Sequence, residues 1–207
     1  MTVPEQEKLD FTMMYATHRA FRRDLDRLVA AAEDGKAGTP GCRHGWETFK
    51  DQLLVHHSVE DAHLWPALRN LVEGQSRDLA LLDEMEAEHA QLGPLLAAVD
   101  QALADRPDTV SRRAQELMVN LSGHLKHEED DALPLVQSVL PKAWRNFTAQ
   151  MRRRQGVRGA AVYVPWALDG AAPAERRQFL GALPAPVRLA NHLLWERRYR
   201  NQGRWQF

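Results

Sequence analysis

Histidine and glutamate recur in this chain at spacings that suit metal binding. His56 and Glu60 stand four apart in LLVHHSVED, and His124 and Glu128 stand four apart in SGHLKHEED. Single histidines stand at His18 (YATHRAF) and His89 (EAEHAQL). Residues four apart on a helix differ by about 40° around the axis and about 6 Å along it, so each His-Glu pair shares a face. Four imidazoles and two carboxylates suit two metal ions: each ion takes two histidines, and each carboxylate lends one oxygen to each ion. Imidazole suits iron, copper, zinc and nickel, while carboxylate tolerates hard ions. The mixed nitrogen and oxygen set with open positions favours non-heme iron, with manganese and zinc as alternatives. Buried without a cation, the same carboxylates would be costly. One HxxxE is an ordinary i,i+4 pair. Two copies on alternate segments, with single histidines on the other two, are hard to explain by packing.

Four amphipathic helical segments must bring these residues together. The first is predicted from about Glu5 to Glu33, with Met14, Phe21, Leu25 and Leu28 at helical spacing, and ends in the breaker stretch Asp34–Gly41. The second runs from about Trp46 to Glu73 with a stripe of Leu53, Leu54, Leu64, Leu68 and Leu71; Pro66 inside it should kink it or remove a bond. The third starts near Ser76, a plausible N-cap, and runs to about Asp105 with a second proline at Pro94. The fourth follows Pro107-Asp108 and reaches about Leu140, with Pro134 near its end. No segment alternates with period two, so no sheet is expected. The prediction is an all-α fold: an up-down-up-down four-helix bundle over 1–140 with the histidines at mid-length. Residues 141–207 carry prolines at 141, 165, 173, 184 and 186. VYVPWAL (162–168) is apolar enough to be buried, and Pro173–Leu183 and Pro186–Arg198 read as short helices. With Trp144, Trp166, Leu180, Leu183, Leu193 and Trp195 to bury, this part is expected to be a helical extension packed on the bundle.

Composition bounds the rest. The 207 residues are 44% hydrophobic and 27% charged, the balance of an ordinary globular chain. No apolar run reaches the roughly 18 residues of a membrane span. The polar start MTVPEQEKLD argues against a secretory signal. The single Cys42 excludes an intramolecular disulfide and a multi-cysteine zinc site, so the cytoplasm is the expected compartment. Residues 1–140 hold 14 basic and 25 acidic side chains, a net of −11, whereas residues 141–207 hold 13 and 3, a net of +10. RRRQGVR and RRYRNQGRWQF mix arginine with aromatics, a combination that can bind nucleic acid. No nucleic-acid-binding fingerprint surrounds them, and the acidic bundle offers an internal partner, so nucleic-acid binding is not expected.

The neighbours of the motifs read more plainly. His57, Asp61, His63 and His127 are displaced from the ligand register by one to three positions. Adjacent positions turn about 100° away, which places them toward solvent or behind the ligands. Glu88 and Asp61 are candidates for orienting a ligand imidazole, though a solvated charge explains them as well. Tyr15, one turn before His18, reads as packing. Cys42 reads as an unreactive loop cysteine, and Met13, Met14, Met85 and Met118 as core filler.

The order H…HxxxE…H…HxxxE, carried by His18, His56/Glu60, His89 and His124/Glu128, resembles the hemerythrin-like (HHE cation-binding) domain. It is similar in particular to the short-ligand variant of actinobacterial hemerythrin-like proteins. The strings HHSVEDAHLWPAL and HLKHEEDDALPLV are similar to that family's paired helix motifs, and the resemblance covers about residues 8–140. The extension, including VYVPWALDGAAPAERRQFLGALPAPVRL, resembles the C-terminal part of the actinobacterial members. The resemblance implies two iron ions in an oxo- or hydroxo-bridged centre. His18 and His56 would hold one iron, His89 and His124 the other, and Glu60 and Glu128 would bridge. Oxygen-carrying members place two histidines four apart on the third helix and end in HxxxxD. Here the positions four either side of His89 are Met85 and Gly93, and the last motif is HxxxE. The resemblance therefore implies an extra open position on the second iron, which favours chemistry over oxygen storage. The expected function is reaction with a small oxidant, hydrogen peroxide first. The alternative is a non-enzymatic module that binds or senses O2, NO or iron. A weaker alternative is a diiron oxygenase acting on an organic substrate.

Overall fold

A computed structural model describes residues 8–139 and 141–207. Among these residues there are helices and no strand. No helix is long and apolar enough to cross a membrane. Helix α1 spans Thr12–Glu33, so it starts after the predicted Glu5; residues 1–7 lie outside the described part. Its predicted face, Met14, Phe21, Leu25 and Leu28, is buried.

Helix α2 spans Pro40–Val59 and begins six residues before the predicted Trp46. The Thr-Pro-Gly that reads as a breaker is in fact a start signal. The Thr39 side chain accepts a hydrogen bond from the Cys42 N–H, and Pro40 takes a first-turn position where a missing N–H costs nothing. Cys42 is thereby a buried helical residue, not a loop residue. Its thiol is pushed up to about 11 by burial, which leaves it unreactive.

Pro66 does not end the second segment. The chain widens into a π turn, Glu60–Leu64, and continues as α3, Trp65–Leu71. A proline ring clashes with the carbonyl four residues back and lacks the donor for it, and one wider turn relieves both problems. The fourth segment repeats the device: α5, Val110–His127, passes through a π turn, Glu128–Ala132, into α6, Leu133–Val139, which contains Pro134. Between them α4 spans Ser76–Asp105, the predicted bounds, and runs through Pro94; Gln75 rather than Ser76 holds the cap position.

Helix α7, Pro141–Leu168, is broken at Gly156, whose φ of 56° falls in the left-handed region that favours glycine. Then follow α8, Pro173–Gly181, and α9, Ala185–Ala190. A π turn, Asn191–Trp195, leads into α10, Glu196–Asn201.

The apolar residues form two clusters. One holds Phe21, Leu25, Leu53, Leu92, Leu96, Leu117 and Leu121 together with Tyr163, Trp166, Phe179 and Trp205. The other holds Met14, Leu64, Trp65, Leu82, Met85 and Leu133 together with Trp144 and Phe147. On each of the four histidine-bearing segments the histidine lies between residues of one cluster and residues of the other. A polar layer is thus held between two apolar ones.

Residues of 141–207 enter both clusters, as their aromatics suggest. Some expected burials fail: Leu193 is 66% exposed, Leu54 58% and Tyr15 48%. Leu54 follows the fully buried Leu53 and is turned off the stripe, and Leu71 ends its helix half-exposed. The expected charge pairing is also reversed at the seam with α1. There, arginines of α1 meet acids of residues 141–207, Arg27 to Asp169 at 2.6 Å and Arg19 to Glu175 at 3.7 Å.

Candidate metal centre

The polar layer brings together all six sequence-predicted residues. His18, His56, Glu60, His89, His124 and Glu128 are all buried. His18 Nε2 lies 3.2 Å from His56 Nε2 and 3.2 Å from Glu128 Oε2. His89 Nε2 lies 3.0 Å from His124 Nε2. Glu60 faces both pairs, with Oε1 3.2 Å from His56 Nε2 and Oε2 3.8 Å from His89 Nε2. Both glutamates open a π turn. Such turns recur at functional sites, because the extra residue re-aims a side chain inside a helix.

Carboxylates behind the ring orient three of the histidines. Glu129 lies 2.8 Å from His18 Nδ1, Asp61 lies 2.7 Å from His89 Nδ1, and Glu88 lies 2.8 Å from His124 Nδ1. An ionised carboxylate only accepts, so each Nδ1–H donates and the Nε2 lone pair is left facing the centre. Glu88 also accepts from His127 Nδ1 at 2.9 Å, and Glu129 takes a bidentate pair from Arg22 at 2.8 and 3.2 Å. Asp61 and Glu88 are thus orienting partners and not free solvated charges. Glu129 escaped the sequence reading because it sits directly beside the ligand-register Glu128, inside a π turn whose rotation a regular helix does not predict.

The electrostatics are those of a cluster in need of a cation. Burial, with the charge of Glu128, pushes the Glu60 carboxyl well above its usual range. Glu128 goes the other way: burial would raise it, but His18, His56 and His124 hold it low. Burial and then the neighbouring His18 push His56 well below its ordinary value. Burial lowers His18 too, but Glu128 and Glu129 outweigh it and leave His18 raised. Two carboxylates buried together cannot both ionise cheaply, which is why Glu60 and Glu128 are shifted in opposite directions.

A model of the hemerythrin HHE cation binding domain matches residues 9–136. The chain belongs to this family. A search of curated proteins and a search of solved structures each returned no match. The hemerythrin domain is a cation-binding one, and the donors present fit a cation. All four oxygens of Glu60 and Glu128 are buried without a hydrogen-bond partner. The 3.2 Å approaches of His18 to Glu128 and of His56 to Glu60 are ion-pair contacts, not hydrogen bonds. A core strands four carboxylate oxygens only at high cost unless a positive ion takes them.

One histidine is placed where the sequence did not put it. His57, expected to turn away, is buried, its ring stacked on His89 with centroids 4.0 Å apart. Three donor groups close enough to hold an ion occur among the described residues: His18–His56–Glu128, His56–His57–Glu60 and His57–His89–His124. His57 enters two of them. Adjacent residues on a regular helix do diverge by about 100°. Here, however, both His56 and His57 are buried, His56 against His18 and His57 against His89.

Proposed function

We propose that this hemerythrin domain holds two iron ions and uses them to react with a small oxidant, hydrogen peroxide first. The observation that carries this reading is the pair of buried, facing carboxylates with four unpartnered oxygens, ringed by imidazoles whose Nε2 atoms are free to donate. In this reading His18 and His56 hold one iron, His89 and His124 the other, and Glu60 and Glu128 bridge under an oxo or hydroxo group. The ligand order is that of the short-ligand H-HxxxE-H-HxxxE subtype, and the compartment is the cytoplasm. The scaffold is an up-down-up-down four-helix bundle over 1–140 with residues 141–207 as an added layer. The apolar clusters support it: their order along the chain reverses from each histidine-bearing segment to the next.

When bound, the iron pair would supply Lewis acidity and the redox capacity for disproportionation, in which two peroxides give one dioxygen and two waters. The chain's own residues do the rest. Glu129, Asp61 and Glu88 hold three imidazoles in the donating tautomer. The flanking apolar layers exclude bulk water and limit side reactions.

The test is metal content and the electronic spectrum of the full chain beside a His56→Ala/His124→Ala double variant, followed by oxygen evolution from peroxide. About two irons per chain, near-ultraviolet bands lost in the variant, and oxygen release faster than free iron gives are expected. No stoichiometric metal after anaerobic iron loading would sink the reading.

A second reading, a sensing module for O2, NO or iron, is favoured by one contact. The Tyr163 hydroxyl in α7 is hydrogen-bonded to the Thr17 hydroxyl at 2.8 Å, directly beside His18. A change at His18 would have a short path to the extension. Protease sensitivity of 141–207 that changes on ligand binding would favour this reading; indifference to metal and ligand would count against it.

A further inference from the structure

Resting on the dinuclear reading above, we infer that His57 supplies a third imidazole to the second metal, beside His89 and His124. The histidine pair His56-His57 would then serve both ions, one residue each.

The argument starts from valence. Glu60 Oε2 lies 3.8 Å from His89 Nε2, and in that reading two imidazoles, the two bridging carboxylates and the bridging group leave the second ion one donor short of an octahedral set. His57 Nε2 is buried and has no hydrogen-bond partner. An imidazole nitrogen left so in a core is either a standing cost or a ligand. Its surroundings decide. One donor atom each of His57, His89 and His124 lie within 4.8 Å of one another. The His57 ring lies flat on His89, tilted by 19°, and edge-on to His124, with centroids 5.2 Å apart. Among the described residues no carboxylate hydrogen bond holds His57, unlike His89 and His124, and only ring packing accompanies its inward position.

The same geometry explains what lies outside. A cleft of about 470 Å³ opens between α2 and α4, lined by Leu53, Leu54, His57, His89, Gly93 and Leu96 among others. His57 therefore stands between this cleft and the buried nitrogens. Gly93 is one turn beyond His89 on α4, and a Cβ added there would meet nothing within 4 Å. α4 offers no donor at this position, and α2 offers one from across the cleft. With His57 bound, the room for an oxidant lies at the His18–His56 ion.

The test is anaerobic Fe(II) titration of metal-free full chain, read as stoichiometry and stepwise affinity, with Co(II) absorption as a second readout of coordination. In His57→Ala and in the bulkier His57→Gln, the first ion should bind as in wild type. The second should bind more than about 100-fold more weakly, since losing even a partner behind a ligand costs about 10–100-fold. Adding Gly93→His to His57→Ala should restore the second ion, because the new imidazole enters the same cleft. Circular dichroism selects the folded variants, and His57→Gln carries the test if His57→Ala does not fold. Second-ion affinity within about threefold of wild type in the folded variants would overturn the inference. Wild type that takes up fewer than two ions would instead overturn the dinuclear reading on which it rests.

Discussion

At the scale of single residues, a donor atom matters less than the group that fixes its tautomer. His89 Nδ1 is held by Asp61 at 2.7 Å and His18 Nδ1 by Glu129 at 2.8 Å. Removing Asp61 leaves the His89 ring free to rotate and to protonate the wrong nitrogen. Asp61→Ala should therefore weaken the His89-side ion by about 10–100-fold and leave the His18-side ion close to wild type. Glu129→Ala should do the reverse, and stepwise Fe(II) titration distinguishes the two. The convergence of the six predicted residues was legible because a four-residue spacing fixes a shared helix face whatever the surroundings. His57 and Glu129 were not. Whether a residue beside a ligand also points inward depends on how many helices enclose it and on where the helix widens, and spacing along one segment carries neither.

At the scale of elements, the helix types and most of their apolar faces could be read from periodicity, and α4 was read to its ends. The failures are at punctuation. Pro66 was read as a kink or a lost bond and Pro134 only as lying near a helix end, yet each follows a π turn that begins on a glutamate of the site. The equal spacing of Glu60 to Pro66 and Glu128 to Pro134 was visible, but its meaning needs the packing of Trp65 and Leu133, both buried just beyond the turn. The start of α2 was misread for a related reason, since Pro and Gly mark helix beginnings as well as breaks. That start is pinned from far along the chain. The Trp205 N–H donates to the Gly41 carbonyl at 2.9 Å, and a Cβ on Gly41 would lie 2.1 Å from the backbone oxygen of Gln206. Backbone cannot yield as a side-chain tip does. Gly41→Ala should therefore release the C-terminal residues from α2, seen as faster proteolysis after α10 and a red-shifted tryptophan emission. Gly93→Ala, in open space, should leave both readouts unchanged.

At the scale of the whole molecule, the charge split between the two parts predicted attraction but not its direction. Residues 1–140 are acidic in total, yet the α1 face that meets residues 141–207 carries Arg19, Arg23 and Arg27. Arg23 donates to the carbonyls of Trp166 and Asp169 at 2.8 and 2.7 Å. Asp24, fully buried beside it, accepts the Trp166 indole N–H at 2.7 Å and the Arg23 Nε–H at 2.8 Å. Net charge averages over such faces, so only the fold could reveal this seam. Asp24→Ala would strand a buried indole donor and part of a guanidinium, at a cost of about 3 kcal/mol, which thermal or denaturant unfolding would read.

The outer part of the seam should respond to pH. Partial burial alone would raise the Asp169 carboxyl, but the hydrogen bond from Arg27 and the charges of Arg23 and Arg19 hold it below its ordinary 3.8. A carboxyl depressed in the folded state adds stability above its unfolded value and loses it as pH falls through the folded one. Wild type should therefore be more stable than Asp169→Asn at pH 6, by a small margin because both partners are about a third exposed. The gap should close as pH drops below about 3.8, once the carboxylate is protonated in both states. A gap that persists into strong acid would mean that packing of Asp169, and not its charge, holds the extension to α1.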